Sequence, residues 1–188
     1  MNSHPSIPGD MIIRHNSLRN LVEDFETDAK LSPVLEKQGI LGNTTGRRPG
    51  DVTFEKWAEG KGLAIDVAVT SPLAPTRMVA PCEWCAATQK HAKYDLSFVG
   101  TNYLFSAMVF ETLGAINTEG EELLPMLFRF ASKRLGREFT SYCGRAWSNL
   151  QRSVQCSPES MDVSSVSHKR LFDKLFLALF IARRGLSF

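Results

Sequence analysis

One aspartate stands inside a run of residues that otherwise has the composition of a buried strand. Asp66 interrupts the apolar segment 63–70, where a charge is costly unless it is paired or coordinates a metal. A second acid, Asp51, opens the preceding predicted strand. Neighbouring strands can place two carboxylates side by side, where their oxygens hold a hard cation such as Mg²⁺ or Mn²⁺. We therefore predict Asp51 and Asp66 as metal ligands. For Asp66, a strand-end position that reaches solvent or an arginine is the alternative.

Two lysines and a tyrosine lie in the helix predicted over residues 82–97. Lys90 precedes Lys93 by three residues and Tyr94 by four, so the three side chains share one helical face. A lysine beside a metal site can position the attacking water or bind the phosphate. A solvated helix face is the alternative for this pattern.

Polar residues at the ends of two other elements are further candidates. Arg14, His15 and Asn16 lie at the beginning of the first predicted helix, where helix N-termini favour a phosphate. A polar turn is the alternative. Glu111 ends a predicted strand and could support the acid pair, or could simply reach solvent.

A C-x-x-C pair, Cys82 and Cys85, stands at the start of the helix that carries the lysines. One such pair does not complete a tetrahedral zinc site, and Cys143 and Cys156 lack a matching spacing. A thiol-redox role at a helix N-terminus remains the alternative for this pair.

The elements that must position these residues follow from hydrophobic periodicity. Strands are predicted over 34–38, 51–54, 63–70 and 103–111, with a hairpin loop at 55–62. Helices are predicted over 10–29, 82–97, 119–135, 138–154 and 171–184. This order of helix, three strands, helix, strand and further helices predicts an α/β protein with a mixed sheet. We expect residues 1–188 to form a single domain, with a core at about 10–115 and a helical part at about 118–188.

The composition is that of a globular chain. With 188 residues and 43% hydrophobic residues, the chain can bury a core of its own. The net charge of +2 neither requires nor excludes nucleic acid, because binding depends on local charge. No apolar run reaches the roughly 20 residues of a membrane span, so no membrane partner is expected. The polar N-terminus and four cysteines favour an intracellular, reducing location.

Taken together, these residues resemble the restriction-like endonuclease domain of site-specific non-LTR retrotransposons and of related reverse-transcriptase-associated proteins. The matching segments, in chain order, are Arg14–Arg19 (RHNSLR), Arg48–Asp51 (RPGD), Ala64–Val69 (AIDVAV), Lys90–Tyr94 (KHAKY), Phe110–Gly114 (FETLG) and Ile181–Arg184 (IARR). Each segment is short, so the specificity of the resemblance comes from the complete set and its order.

This resemblance implies a PD-(D/E)XK nuclease with a restriction-endonuclease-like αβββαβ core and additional C-terminal helices. It gives Asp51 and Asp66 the places of the two family acids. The standard motif has its lysine where Ala68 stands, so the resemblance implies a lysine on the helix, Lys93 first and Lys90 second. The residues that it implies as contacts to nucleic acid or as supports of the acids are Arg14, His15, Asn16, Arg48, Tyr94 and Glu111.

The function expected from this resemblance is metal-dependent cleavage of a DNA strand by phosphodiester hydrolysis, with Mg²⁺ or Mn²⁺ as cofactor. DNA is then the partner, an association with a reverse transcriptase is implied, and a eukaryotic retroelement would place the protein in the nucleus. Two alternatives stay open. One is a nuclease-fold module without catalysis that binds DNA or protein, and the other is a thiol-redox protein built on Cys82 and Cys85.

Overall fold

The computed structural model describes residues 8–42, 48–71, 82–112 and 114–154. Within these residues the elements are α1 (Pro8–Asp28), β1 (Val34–Leu35), β2 (Val52–Ala58), β3 (Lys61–Thr70), α2 (Cys82–Phe98), β4 (Tyr103–Glu111), α3 (Thr118–Arg134) and α4 (Phe139–Val154). The predicted α/β architecture and its order of elements are confirmed for this part of the chain. The helix predicted over 171–184 and the matching segment Ile181–Arg184 lie outside the described residues.

The four strands form one mixed sheet in the order β1-β2-β3-β4. β2 is antiparallel to both β1 and β3, whereas β3 and β4 are parallel. Parallel neighbours need a long crossover connection, and helix α2 lies in the connection between β3 and β4. The predicted mixed sheet is therefore confirmed.

The two faces of β3 have different neighbours. One face contributes Leu63, Ile65 and Val67 to the main core, which also contains side chains of α1, α3 and α4. Because side chains alternate along a strand, the other face carries Ala64, Asp66 and Ala68. There Ala68 packs beside Ala86 and Ala87 of α2. Asp66 consequently faces α2 rather than the main core.

Helix α1 covers the main core through Leu18, Val22 and Phe25, which are all buried. The ring of Phe25 meets that of Phe128 in α3 edge-on, with 4.9 Å between the centroids. Burial of each such side chain stabilises the fold by about 2 kcal/mol. This packing fixes the first turns of α1, and with them His15, relative to the sheet. Among the described helices, none is both long and apolar enough to cross a membrane.

The first strand is shorter than predicted. A strand was expected over 34–38, but β1 contains only Val34 and Leu35. Glu36 has a φ of 47°, in the left-handed region that a regular strand cannot contain. The strand therefore ends at Leu35, although Glu36 still donates its backbone N–H to the carbonyl of Asp51.

The second strand ends four residues later than the predicted 51–54, and the prediction of a hairpin loop over 55–62 is wrong. β2 continues to Ala58, which pairs with Lys61, so the loop contains only Glu59 and Gly60. Both loop residues have positive φ, 54° and 76°, which is the geometry of a tight two-residue hairpin turn. Trp57 contributes to the longer strand by packing against the main core.

Candidate active site

Asp66 lies within β3, and Asp51 directly precedes Val52, the first residue of β2. Val52 pairs with Ile65 in an antiparallel register, so the next pair in that register is Asp51 with Asp66. Asp51 is held firmly: its N–H donates to the Ile65 carbonyl at 2.8 Å, and its Oδ2 accepts the Val67 N–H at 2.7 Å. The structure therefore brings together the two acids that the sequence predicted as a pair.

A glycine permits this close approach. A Cβ atom on Gly50 would lie 3.1 Å from the Cβ of Ala64 and 3.3 Å from the backbone nitrogen of Ile65. Such contacts are tighter than ordinary packing, so a side chain here would require its neighbours to shift by a few tenths of an ångström. Gly50, which separates Pro49 from Asp51, thus lets Asp51 lie against the strand that carries Asp66.

Asp66 is the more buried member of the pair, with 9% of its side chain exposed. Burial raises its pKa above the ordinary value, and the neighbouring Asp51 carboxylate acts in the same direction, whereas Lys90 opposes the shift. Two acids directly opposite each other repel, and burial strengthens that repulsion. The pair consequently favours a compensating cation.

Lys90 supplies one such charge from α2. Its Nζ donates to Oδ1 of Asp66 at 2.7 Å and to Oδ2 at 2.8 Å. Small side chains lie between α2 and the sheet, where Ala68 packs against the cluster of Ala86, Ala87, Ala107 and Val109. A lysine at position 68 would lie beside this cluster, whereas Lys90 reaches Asp66 from the helix itself.

Lys93 lies elsewhere on the helix. Its Nζ stands over the ring of Tyr94, 4.5 Å from the centroid, and no hydrogen bond or ion pair joins it to either acid among the described residues. The Tyr94 ring in turn packs against Phe105. Of the two lysines predicted for catalysis, the structure brings Lys90 to the acids and leaves Lys93, the first choice, outside the site.

His15 approaches the acid pair from α1. Its Nε2 lies 3.4 Å from Oδ1 of Asp51. The hydrogen bond to Asp51 raises the pKa of His15, although partial burial opposes the shift. The neighbouring Arg14 has a buried Nε without a hydrogen-bond partner. Asn16 is half-buried on the same helix and makes no side-chain hydrogen bond among the described residues.

Two further predicted residues lie away from the acids. Arg48 pairs with Glu36 rather than with Asp51 or Asp66. Glu111 pairs in register with Thr70, four residues beyond Asp66 along the sheet, a separation of roughly 13 Å. Glu111 is buried, and its backbone forms hydrogen bonds with the loop after β4. Its position therefore does not bring it close to the acid pair that it was expected to support.

Sequence reasoning missed two charged residues beside the site, Arg19 and Glu36. Arg19 follows His15 by four residues and therefore shares its helical face, which was an available signal; Glu36 had none. Together with the predicted residues they form a continuous line of charges, which we call the charged row. Its members, in spatial order, are Arg48, Glu36, Arg19, His15, Asp51, Asp66 and Lys90.

Among the described residues, no group of three or more histidine, cysteine or acidic side chains is arranged to hold a metal ion. The site thus differs from the complete ligand set of a structural Zn²⁺ centre. Mg²⁺ commonly binds through one or two carboxylates and retains several waters. Asp51 and Asp66 fit that pattern, because they are adjacent, partly desolvated and of like charge.

No protein-family model and no curated protein matches this chain. The resemblance to the retroelement endonuclease domain therefore remains an expectation based on its short segments. The side chain of Cys82 lies outside the described part of the structure, and Cys85 is a half-buried free thiol. The thiol-redox alternative thus also stays a prediction.

The chemistry available at the acid pair follows from its neighbours. Two carboxylates can hold a divalent cation, and nitrogen groups lie beside each of them, Lys90 at Asp66 and His15 at Asp51. Such donors can contact a phosphate oxygen or a water molecule beside the cation. The arrangement can therefore bind and polarise an anionic oxygen ester.

Proposed function

We propose that this protein is a metal-dependent endonuclease that cleaves a DNA strand by phosphodiester hydrolysis. The observation that carries the proposal is the proximity of the Asp51 and Asp66 carboxylates, one directly before β2 and the other within β3, with Lys90 bonded to Asp66. A pair of like charges with one buried member is destabilising on its own. Such a pair is expected in a site where a bound cation compensates the two charges and a charged substrate is then bound by the cation.

Asp51 and Asp66 would hold Mg²⁺ or Mn²⁺, which when bound supplies Lewis-acid stabilisation of phosphate charge. Lys90 would orient the attacking water or a phosphate oxygen, and His15 would hold a proton beside Asp51. The water oxygen forms a bond to phosphorus while the bond from phosphorus to the 3′ oxygen breaks. The water gives up a proton and the 3′ oxygen takes one, which leaves a 3′-hydroxyl and a 5′-phosphate.

Strand nicking of supercoiled plasmid tests the proposal. We expect nicking that needs Mg²⁺ or Mn²⁺, stops with a chelator, and falls at least about a hundredfold in Asp66→Asn. The matched control is Glu55→Gln, which removes one negative charge from an exposed residue of β2 and should retain the activity. Full nicking in Asp66→Asn, or nicking that persists in a chelator, would overturn the proposal.

A second candidate is a nuclease-fold module that binds DNA or protein without catalysis. The observation that favours it is that Lys90 already bonds both oxygens of Asp66, so that the buried charge is compensated within the protein. This candidate predicts DNA binding that does not respond to Mg²⁺ and no nicked product under any metal condition.

A further inference from the structure

The carboxylate of Glu36 lies between two arginines at one end of the charged row. Nη1 of Arg19 donates to Oε1 of Glu36 at 3.1 Å, and Nη1 of Arg48 donates to Oε2. Arg19 is largely buried, with 17% of its side chain exposed, whereas Arg48 is 51% exposed. One acid thus receives hydrogen bonds from two guanidinium groups that come from separate parts of the chain.

This cluster is continuous with the acid pair. The backbone N–H of Glu36 donates to the carbonyl of Asp51 at 2.9 Å. Arg19 lies one helical turn from His15, which contacts the Asp51 carboxylate, and its charge acts on His15. A polyanion bound at Asp51 and Asp66 would therefore extend over Arg19 and Arg48 if it followed the charged row.

The backbone of Glu36 does not explain why a glutamate is present. Its φ of 47° lies in a region that costs a non-glycine residue about 1 kcal/mol. Glycine or asparagine would adopt this conformation at lower cost. The side chain, which bridges two cations, is thus what a glutamate adds here.

We propose that Arg19 and Arg48 form a phosphodiester subsite and that the Glu36 carboxylate occupies this subsite until nucleic acid displaces it. A carboxylate and a phosphodiester both present two anionic oxygens to guanidinium donors, so each can replace the other. Among the described residues, Arg48 makes no side-chain hydrogen bond except to Glu36, which leaves its other donors available. The inference rests on the proposed function, because the displacing anion is the substrate backbone.

Binding of a short fluorescein-labelled DNA duplex, followed by anisotropy without divalent metal over a series of salt concentrations, tests this subsite apart from cleavage. We expect Glu36→Gln to bind about tenfold more tightly than the wild-type protein, because the internal competitor loses its charge. The slope of log affinity against log salt should become steeper by about 0.9, the value for one additional neutralised phosphate.

The matched control is again Glu55→Gln, which removes the same charge beside Lys37 rather than beside the arginines. A gain in Glu36→Gln that exceeds the gain in Glu55→Gln supports the subsite. Equal gains, or weaker binding in Glu36→Gln, overturn it and identify Glu36 as a structural clamp for the arginines. Thermal unfolding of each variant shows whether it is folded.

Arg48→Gln provides a second variant at an exposed position. It should weaken binding and reduce the salt slope by about 0.9, and it should cancel the gain when combined with Glu36→Gln. Unchanged binding in Arg48→Gln overturns the subsite. Binding that behaves as expected in a protein that never nicks DNA would refute the proposed catalysis alone, whereas the absence of any DNA binding would refute both.

Discussion

Lys90 compensates the charge of Asp66 from a helix, although the acid itself lies on a strand. A divalent cation at Asp51 and Asp66 would compensate the same charge, so the cation and the ammonium group compete for Asp66. When the cation is bound, Lys90 is expected to turn toward the phosphate or the attacking water. In the described part of the chain, Lys93 makes no such contact with Asp66, so substitutions of Lys90 and of Lys93 should have different effects on activity.

Replacing each lysine by methionine removes its charge and retains an apolar stem. We expect Lys90→Met to lower the plasmid nicking rate about a hundredfold, the usual effect of losing one donor at the reacting phosphate. Lys93→Met should nick at nearly the wild-type rate, because its ammonium stands over Tyr94. The opposite pattern, with activity lost only in Lys93→Met, would contradict this assignment.

Thermal unfolding of Lys90→Met gives a readout that does not depend on activity. The substitution leaves the Asp66 carboxylate, which is 9% exposed, without its cation and should destabilise the fold by about 3 kcal/mol. Added Mg²⁺ should raise the Tm of Lys90→Met more than that of the wild-type protein, because the ammonium no longer competes for Asp66. An equal rise in both proteins would argue against Mg²⁺ at Asp66.

Residue types and spacing were enough to find Asp51 and Asp66, because an acid within an apolar strand stands out in the sequence. They could not rank Lys90 above Lys93, since both lie near the same helical face and only packing distinguishes them. They also could not find the contact of Arg19 and Arg48 with Glu36. That contact joins three separate segments of the chain, and the left-handed backbone of Glu36 is not indicated by its residue type.

At the level of elements, strong periodicity predicted boundaries well. The bounds of β4 match the prediction, and those of α3 differ by one residue at each end. The bounds of β1 and β2 were wrong because Glu36 and Glu59 adopt positive φ. A glycine or asparagine would have indicated such a conformation, whereas glutamate does not.

The outer edge of β4 is covered by side chains from the beginning of α3. The amide of Asn117 bonds the backbone of Ala107 and Val109, and Oε2 of Glu119 accepts the Ala107 N–H and the Ser106 hydroxyl at 2.9 Å. These bonds satisfy backbone groups that would otherwise form an open sheet edge. The start of α3 is thereby fixed to the sheet.

His91 joins α2 to this assembly. Its Nδ1 contacts Asp95 at 2.8 Å and its Nε2 contacts Glu119, while its ring packs edge-on against Phe105. Partial burial disfavours the charged ring, but the hydrogen bonds to Asp95 and Glu119 outweigh it and raise the pKa of His91. A raised pKa means that the stabilisation is complete below about 6.5 and is lost as pH rises through the folded-state pKa.

An NMR titration of the His91 ring tests this link between α2 and α3. We expect the pKa of His91 to lie above 6.5 and to fall in Glu119→Gln, because one of the two acceptors loses its charge. Glu122→Gln, which removes an exposed acid from the same helix, is the control and should leave the titration unchanged. An identical titration in wild type and Glu119→Gln would show that Glu119 does not pair with the ring.

For the molecule as a whole, stability rests on the main core that α1, α3 and α4 share with the sheet. Glu26 of α1 is fully buried, with 0% of its surface exposed. Neither of its carboxylate oxygens has a hydrogen-bond partner. Burial raises the pKa of Glu26 to about 9, and the nearby Glu23 acts in the same direction. The side chain is therefore protonated in the folded protein near neutral pH.

This buried acid should make the protein less stable as pH rises. Between the ordinary pKa of 4.5 and the folded value of about 9, the native state keeps a proton that the unfolded chain releases. Stability consequently falls across this window by about 1.4 kcal/mol per pH unit, which amounts to about 3 kcal/mol at neutral pH. Below 4.5 both states are protonated and the effect disappears.

Denaturant unfolding of Glu26→Gln over a range of pH measures this effect, because the amide has nearly the same shape and cannot ionise. We expect Glu26→Gln to match the wild-type stability near pH 4.5 and to exceed it by about 3 kcal/mol at neutral pH. The exposed Glu122→Gln should follow the wild-type curve, which separates burial from net charge. Parallel curves for Glu26→Gln and wild type would mean that Glu26 ionises normally and reaches solvent or a partner in solution.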